Sequence, residues 1–176
     1  MILIKRISLL FLLVFAAPIF LFSQERAILD WKFFKNDKPA SAKYQAYTWS
    51  NVAYKYRPVK YVGTKVEIQF DVTFKMDTAK SYFEESQVFA KNFKLLNHEQ
   101  GHADIGFIYA MKLKKIFEST SFSRSNYHFE IKNIWTKIFS EMTNEQLMYD
   151  IETNHCKNLA AQKKWDLYFE RAVQMR

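Results

Sequence analysis

Val66-Glu67-Ile68-Gln69-Phe70-Asp71-Val72-Thr73-Phe74 alternates apolar and polar side chains through nine positions. Successive strand residues point to opposite faces, so Val66, Ile68, Phe70, Val72 and Phe74 share one face of a β-strand. Upstream, between Ala27 and Tyr61, lie aromatic, moderately alternating stretches such as Tyr44 to Trp49 and Val52 to Tyr56, punctuated by Pro39 and Pro58. They read as short strands and loops. After Pro58 there is no proline, and helical spacing runs almost to the end. Ser81 with Glu84 has the spacing of a capping box, ahead of a long helix expected over about Phe89 to Phe117. Ile131, Ile134, Ile138 and Met142 recur at steps of three and four and mark a second helix. Asn144 is expected to cap a third, running through Leu159 and Trp165. Strands first and helices afterwards predict an α+β fold, a small N-terminal β-sheet followed by a helical half.

Of 176 residues, 49% are hydrophobic and 18% aromatic, which supplies a core and excludes a disordered chain. A single cysteine, Cys156, excludes an intramolecular disulfide framework and a cysteine-rich zinc finger or iron–sulfur site. The formal charge is +8, but Lys and Arg are scattered, with no dense run longer than Lys112 to Lys115. The chain therefore reads as a basic surface with no nucleic-acid partner.

Lys5-Arg6 followed by the apolar run Ile7 to Phe22 and polar Ser23-Gln24-Glu25 is the layout of a secretory signal peptide. Cleavage is expected near Ser23, leaving one domain over 24–176 with no stable membrane insertion, exported to the periplasm or the cell exterior. Removal takes two of the 26 basic residues, so 24 remain against 18 acidic ones, a net of +6.

Asn97-His98-Glu99-Gln100-Gly101-His102 contains H-E-x-x-H. Four-residue spacing puts His98 and His102 on one helical face, where both rings can reach a single Zn²⁺ ion. Glu99, one residue on from His98, reaches a zinc-bound water without taking a coordination position, as a general base must. Chance alone produces the pattern in about half a percent of chains of this composition.

A catalytic zinc needs a third protein ligand and an open fourth position. The extended form with glycine and a third histidine is excluded, because Ile105 and Ile108 stand at those positions. Gly106 is then read as a close-packing position against another helix. The candidates for third ligand are His128, His155, Glu118, Glu130, Glu145 and Glu152. His155 is preferred, because it follows Tyr149-Asp150-Ile151-Glu152-Thr153-Asn154 on a helix with an apolar face. Glu152, three residues earlier, is either the alternative ligand or a group that orients His155. His128 is expected at the start of the second helix, solvated. Asp104 is expected to solvate its helix face, and Tyr109 and Tyr149 to pack, with oxyanion donation the lesser reading.

Leu95 to Ile105 together with Tyr149 to His155 resembles a bacterial family of predicted secreted zinc-dependent proteases, DUF922. Leu29-Asp30-Trp31-Lys32-Phe33-Phe34, Ala46-Tyr47-Thr48, Lys80-Ser81-Tyr82 and Tyr109 to Leu113 are similar to further segments of that family. Two positions depart from its pattern: Ala103 stands in place of a bulkier aromatic, and Cys156 in place of glycine after the histidine.

The expected protein is thus a zincin-like metallopeptidase, with zinc on His98, His102 and His155 and Glu99 as general base. Its partner is a peptide or protein bound in extended form, added as a strand beside Val66 to Phe74. Two other readings stay open: a zinc-dependent amide or ester hydrolase of envelope polymers, and a non-enzymatic envelope protein with a structural metal site.

Overall fold

The computed structural model describes residues 25–174, so the signal segment expected over 1–23 lies outside the described residues. A 3-10 turn at Trp31–Phe33 leads into β1 (Asn36–Asp37), β2 (Ala46–Tyr47), β3 (Ser50–Val62), β4 (Lys65–Met76) and β5 (Tyr82–Phe83). Then follow α1 (Glu85–Phe89), α2 (Phe93–Ser119), β6 (Phe122–Ser123), α3 (Tyr127–Thr153) and α4 (Leu159–Gln174). Strands precede helices, and the fold is α+β, with two three-stranded sheets ordered β1-β5-β2 and β3-β4-β6.

β3 and β4 form an antiparallel hairpin closed by Gly63 and Thr64. Gly63 takes φ +57 at the first turn position, where tight hairpin turns require the left-handed region that glycine enters without cost. The alternation of β4 translates directly into burial: Val66, Val72 and Phe74 are buried, and Ile68 and Phe70 half-buried against the same core. Pro58 does not end a strand as punctuation would; it lies inside β3, where the register slips between Pro58 and Lys60. β3 is a sheet edge, and an edge with a bulge tolerates a residue that cannot donate.

Helix boundaries differ from the expected ones at three places, each because a different side chain caps. α2 starts at Phe93, since the Asn92 side chain accepts from the Leu95 amide at 3.2 Å. Ser81 caps nothing: its buried hydroxyl donates to the Asp77 carbonyl at 2.8 Å and accepts from the Trp49 amide at 3.0 Å. Asn144 is interior to α3, which runs unbroken to Thr153 and stops where Asn154 turns left-handed at φ +47. Asn158 caps α4, its side-chain oxygen accepting from the Ala161 amide at 3.2 Å.

α2 is the axis of the molecule. Gly101 and then Ala103 to Phe107 are buried without a break, so its middle is covered on every side. Phe74 and Val72 of β4 cover one side, Ile131, Ile138 and Tyr149 of α3 and Phe169 of α4 the others. Burying Phe107, Leu113 and Phe117 contributes about 1.5–3 kcal/mol each, against about 0.2–0.5 kcal/mol for an exposed helix pair, so packing rather than propensity holds α2. Gly106 faces the sheet rather than another helix: a Cβ there would stand 2.5 Å from Phe74 Cε2 and 3.0 Å from Ser50 Oγ.

The segment before the first turn is strapped to α2. Gln100 accepts from the Leu29 amide at 2.8 Å and donates to the Ala27 carbonyl at 2.9 Å. Asp104 is no solvating residue: it is 1% exposed and takes a two-pronged contact from Arg26, 2.7 Å from Nε and 2.6 Å from the terminal nitrogen. Arg26→Ala leaves that carboxylate without its cation, with Gln100 Nε2 at 2.9 Å still donating to it. The expected loss is about 2–3 kcal/mol, below the 3–5 kcal/mol of a fully buried pair because Arg26 keeps 28% of its side chain exposed. Denaturant unfolding checks it; a loss under about 0.5 kcal/mol would show that Asp104 is already solvated.

Candidate metal centre and cleft

His98 and His102, one turn apart on α2, face the C-terminal end of α3, where both Nε2 atoms lie 3.1 Å from Asp150 Oδ1. His155 Nδ1 reaches the same oxygen at 3.2 Å. Asn154, His155 and Cys156 take φ +47, +49 and +67, a run of left-handed residues that turns the chain back over the end of α3. The His155 amide then donates to the Asp150 carbonyl at 3.1 Å. Each such non-glycine residue costs about 1–2 kcal/mol, and strain of this size persists where surrounding contacts over-determine it. Cys156 packs beside Ala46, Phe83 and Leu95, and burial followed by the Glu99 charge pushes its thiol up, so it is a neutral thiol.

The hydrogen-bond network around the rings decides which nitrogens carry protons. Gln146 donates from Nε2 to the His102 carbonyl at 3.0 Å, so its Oε1 accepts from His102 Nδ1. Gln162 spends both amide hydrogens on the Tyr149 hydroxyl at 2.7 Å and Asp166 at 2.9 Å. Its oxygen therefore faces His98 Nδ1, at 3.4 Å, with Thr153 Oγ1 at the same distance. Both histidines hold their proton on Nδ1 and turn the Nε2 lone pair inward. Tyr149, fully buried, stacks on the His98 ring at 4.7 Å and donates to the His98 carbonyl at 3.0 Å. Its phenol proton is used there, and burial first of all pushes that phenol far up. It positions the histidines and has no oxyanion role.

Lone pairs of imidazoles thus converge on a carboxylate oxygen, which is repulsive unless a cation lies among them. His98, Asp150 and His155 offer donor atoms all within 4.8 Å of one another; His102 stands outside that trio but meets the same Asp150 oxygen at 3.1 Å. Three nitrogens and one carboxylate oxygen are ligands that zinc accepts, so the residues fit the ion. Without metal, protons take its place. Burial opposes a charged His102, but its hydrogen bond to Asp150 and the Glu99 charge win, and its pKa is raised. Burial likewise opposes the Asp150 charge, yet the bonds from His102 and His98 hold it well below the usual carboxylate range.

These directions give a pH dependence for chelated protein. The raised pKa of His102 contributes stability that is complete below the ordinary value of 6.5 and lost as pH rises through the raised one. The depressed pKa of Asp150 contributes stability present above the ordinary 3.8 and lost as pH falls through the lowered one. Chelated protein should melt highest between these limits and lower in alkaline buffer, while zinc affinity rises with pH as the competing protons leave. Melting that climbs with pH above neutrality in chelator would contradict a protonated His102.

Glu99 is 3% exposed, and its Oε2 has no hydrogen-bond partner. It opens, with His98 and His102, onto a cleft of about 800 Å³. One wall is Tyr44 to Asn51, the other the α3 face that runs from Phe139 through Gln146 to Asp150. Thr48 Oγ1, on the first wall, is a second buried oxygen without a partner. Burial and then the Glu99 charge raise the phenols of Tyr47 and Tyr82 nearby. The strand at the cleft is not Val66 to Phe74: β4 is paired along its length with β3, and β2, the edge of the smaller sheet, lines the cleft.

The other carboxylates lie elsewhere. Glu152 turns outward to accept from Trp165 Nε1 at 2.8 Å, so the carboxylate that meets the imidazoles is Asp150. Glu130 accepts from the Ser123 amide at 3.0 Å, Glu145 from Tyr109 at 2.7 Å, and Glu118 pairs with Lys114. His128 is exposed at the start of α3, bonded to Tyr56 at 2.7 Å, about 33 Å of helix from Asp150. Asp150 and Gln146 carried a readable signal: with Phe139, Met142 and Thr143 they recur at helical steps on one face.

Fold and site together define an α+β protein with a histidine and carboxylate cluster between its central helix and the end of α3, at the floor of a cleft. The chain belongs to the DUF922 family, whose model, described as a bacterial protein of unknown function, matches residues 29–156. No curated protein and no solved structure matches it.

Proposed function

We propose that the protein is an exported zinc-dependent peptidase, its zinc held by His98 and His102 together with His155, Asp150 or both. One observation carries this reading: a buried carboxylate oxygen of Glu99 without a partner, beside converging imidazoles, at an open cleft. Zinc, when bound, supplies a Lewis acid that acidifies water and polarises a carbonyl. Glu99 takes the proton of the attacking water at its free oxygen and returns it to the departing amine. Gln146, Gln162, Thr153 and Tyr149 hold the imidazoles in the tautomer and orientation the metal needs. β2 aligns an extended peptide along the cleft by its backbone, as an edge strand can. Export rests on the Lys5-Arg6 and apolar layout of the leader.

A structural metal site is the second reading, favoured by the presence of four donor residues, enough to close a tetrahedral site. Glu99 and the cleft speak against it, because a closed structural site has no use for either. The test is elemental analysis combined with digestion of a peptide library and, in parallel, of cell-wall fragments. One zinc per chain with peptide cleavage abolished by chelator is the expected result. Zinc without hydrolysis of either substrate would favour the structural site, and cleavage of cell-wall fragments alone would favour an envelope-polymer hydrolase.

A further inference from the structure

The two ends of the cleft differ in chemistry. Tyr44 lies against His155, ring centroids 5.0 Å apart, so the wall begins beside the left-handed turn. It ends near Gly106, where Ser50 Oγ would stand 3.0 Å from a Cβ. Between these points the wall is about 20 Å of extended chain, and the opposite wall, Asp150 back to Phe139, about 16 Å of helix. An extended peptide of about six residues spans that length, with the metal ligands nearer the Tyr44 end.

At the His155 end the lining is basic. Lys43 and Lys157 both line the cleft, and among the described residues neither makes an ion pair. Of the carboxylates in the lining, Asp150 stands at this same end but is engaged by His98, His102 and His155, and Glu99 is reserved for the proton. At the far end the lining is apolar: Trp49 is 39% exposed and Phe139 48%, with Met142 half-buried between the walls. Large aromatic side chains exposed inside a concavity mark an apolar subsite, here with Lys80 over the Trp49 ring at 5.0 Å, and lysines without an ion-pair partner attract an anion, Lys43 being held over the Tyr44 ring at 5.5 Å.

We propose that the cleft selects peptides bearing a carboxylate on the His155 side of the reacting bond and a large apolar side chain on the Trp49 side. This rests on the peptidase reading for the reaction and on the cleft alone for the binding. The carboxylate has two sources with one chemistry, an acidic side chain or the free C-terminus of the peptide. Lys43 and Lys157 are its partners, and Trp49, Phe139 and Met142 receive the apolar group.

Binding is measured on the full chain carrying Glu99→Gln, by fluorescence anisotropy of dye-labelled octapeptides. One peptide has Asp in one half and Leu and Phe in the other with an amidated end. A second replaces Asp by Asn, and a third keeps Asn but has a free C-terminal carboxylate. At least one carboxylate form should bind about tenfold tighter than the uncharged peptide, and which one does so identifies the source. Lys43→Gln with Lys157→Gln should erase that gain while leaving the uncharged peptide unaffected. Trp49→Ala with Phe139→Ala should weaken all three about tenfold. All of these residues are exposed or partly so, and unchanged melting temperatures verify the fold. If neither carboxylate gains over the uncharged peptide, or the gain survives loss of both lysines, the inference is overturned. Cleavage by zinc-loaded wild type is read separately: discrimination without cleavage removes the peptidase reading and keeps the inference, and cleavage without discrimination does the reverse.

Discussion

Glu99→Gln will lower peptide hydrolysis by about 10² to 10⁴-fold while zinc content and melting temperature stay close to wild type. The amide has the size of the carboxylate, so the packing of α2 around position 99, which is 3% exposed, is kept. What is lost is a base. The wild-type Oε2 has no hydrogen-bond partner to lose. Its charge favours a protonated His102 when no metal is bound, so the melting comparison is made on zinc-loaded protein. His98→Ala behaves in the opposite way. It deletes a proposed ligand, the ring on which Tyr149 stacks at 4.7 Å and the Nδ1 donor facing Gln162 and Thr153, so zinc and stability should fall with activity. The pair of variants separates chemistry from architecture. Proteolysis by Glu99→Gln at the wild-type rate would remove Glu99 from the mechanism and with it the reason to prefer a catalytic over a structural metal.

Gly101→Ala should be the most damaging single methyl group in the helix. A Cβ at position 101 would stand 2.2 Å from the Tyr149 hydroxyl and 2.4 Å from its Cζ, well inside any real contact. The phenol tip belongs to a fully buried ring with no room to swing, since Trp165 and Phe169 lie against it at 5.3 and 5.6 Å. Either α2 and α3 move apart or Tyr149 loses its bonds to the His98 carbonyl and Gln162. Overpacking costs about 1–3 kcal/mol, and a buried polar group left unpaired about 1–3 kcal/mol more. A helical glycine replaced by alanine returns at most about 1 kcal/mol, so the net loss is about 1–5 kcal/mol. Zinc affinity should fall with it, because the displaced ring is the one that orients His98. Thermal melts and zinc titration check both. A stability change under about 1 kcal/mol would mean that the helices separate freely and that the contact does not hold the site.

Tyr149 also shows how position in the fold overrules residue type. A tyrosine near a metal motif has the chemistry of an oxyanion donor, yet its single proton is spent on the backbone of the ligand helix. Asp104 illustrates the same point with a charge. Two residues past His102 it looks like solvent-facing polarity, and in the folded chain it is the buried anchor of Arg26.

What the amino-acid order determined by itself is whatever depends on neighbours in the chain. The period of two in Val66 to Phe74 places five side chains on one face whatever lies beyond them, and β4 forms there. The four-residue step between His98 and His102 puts their rings on one side of any helix, and α2 keeps them there. Strands before helices likewise made the α+β class legible. Tertiary structure decided everything that requires distant segments to meet. His155 reaches Asp150 and the α2 histidines only because the left-handed turn at Asn154 to Cys156 folds back over the end of α3, and its three consecutive positive φ angles in non-glycine residues are set by that fold. Glu152 and Asp150 are two residues apart on one helix, so about 200° of rotation separates them, and only the packing of α3 on α2 selects which one faces the metal position. The cleft wall passed from Val66–Phe74 to Tyr44–Asn51 for the same reason: both segments can be strands, but pairing partners settle which becomes the edge.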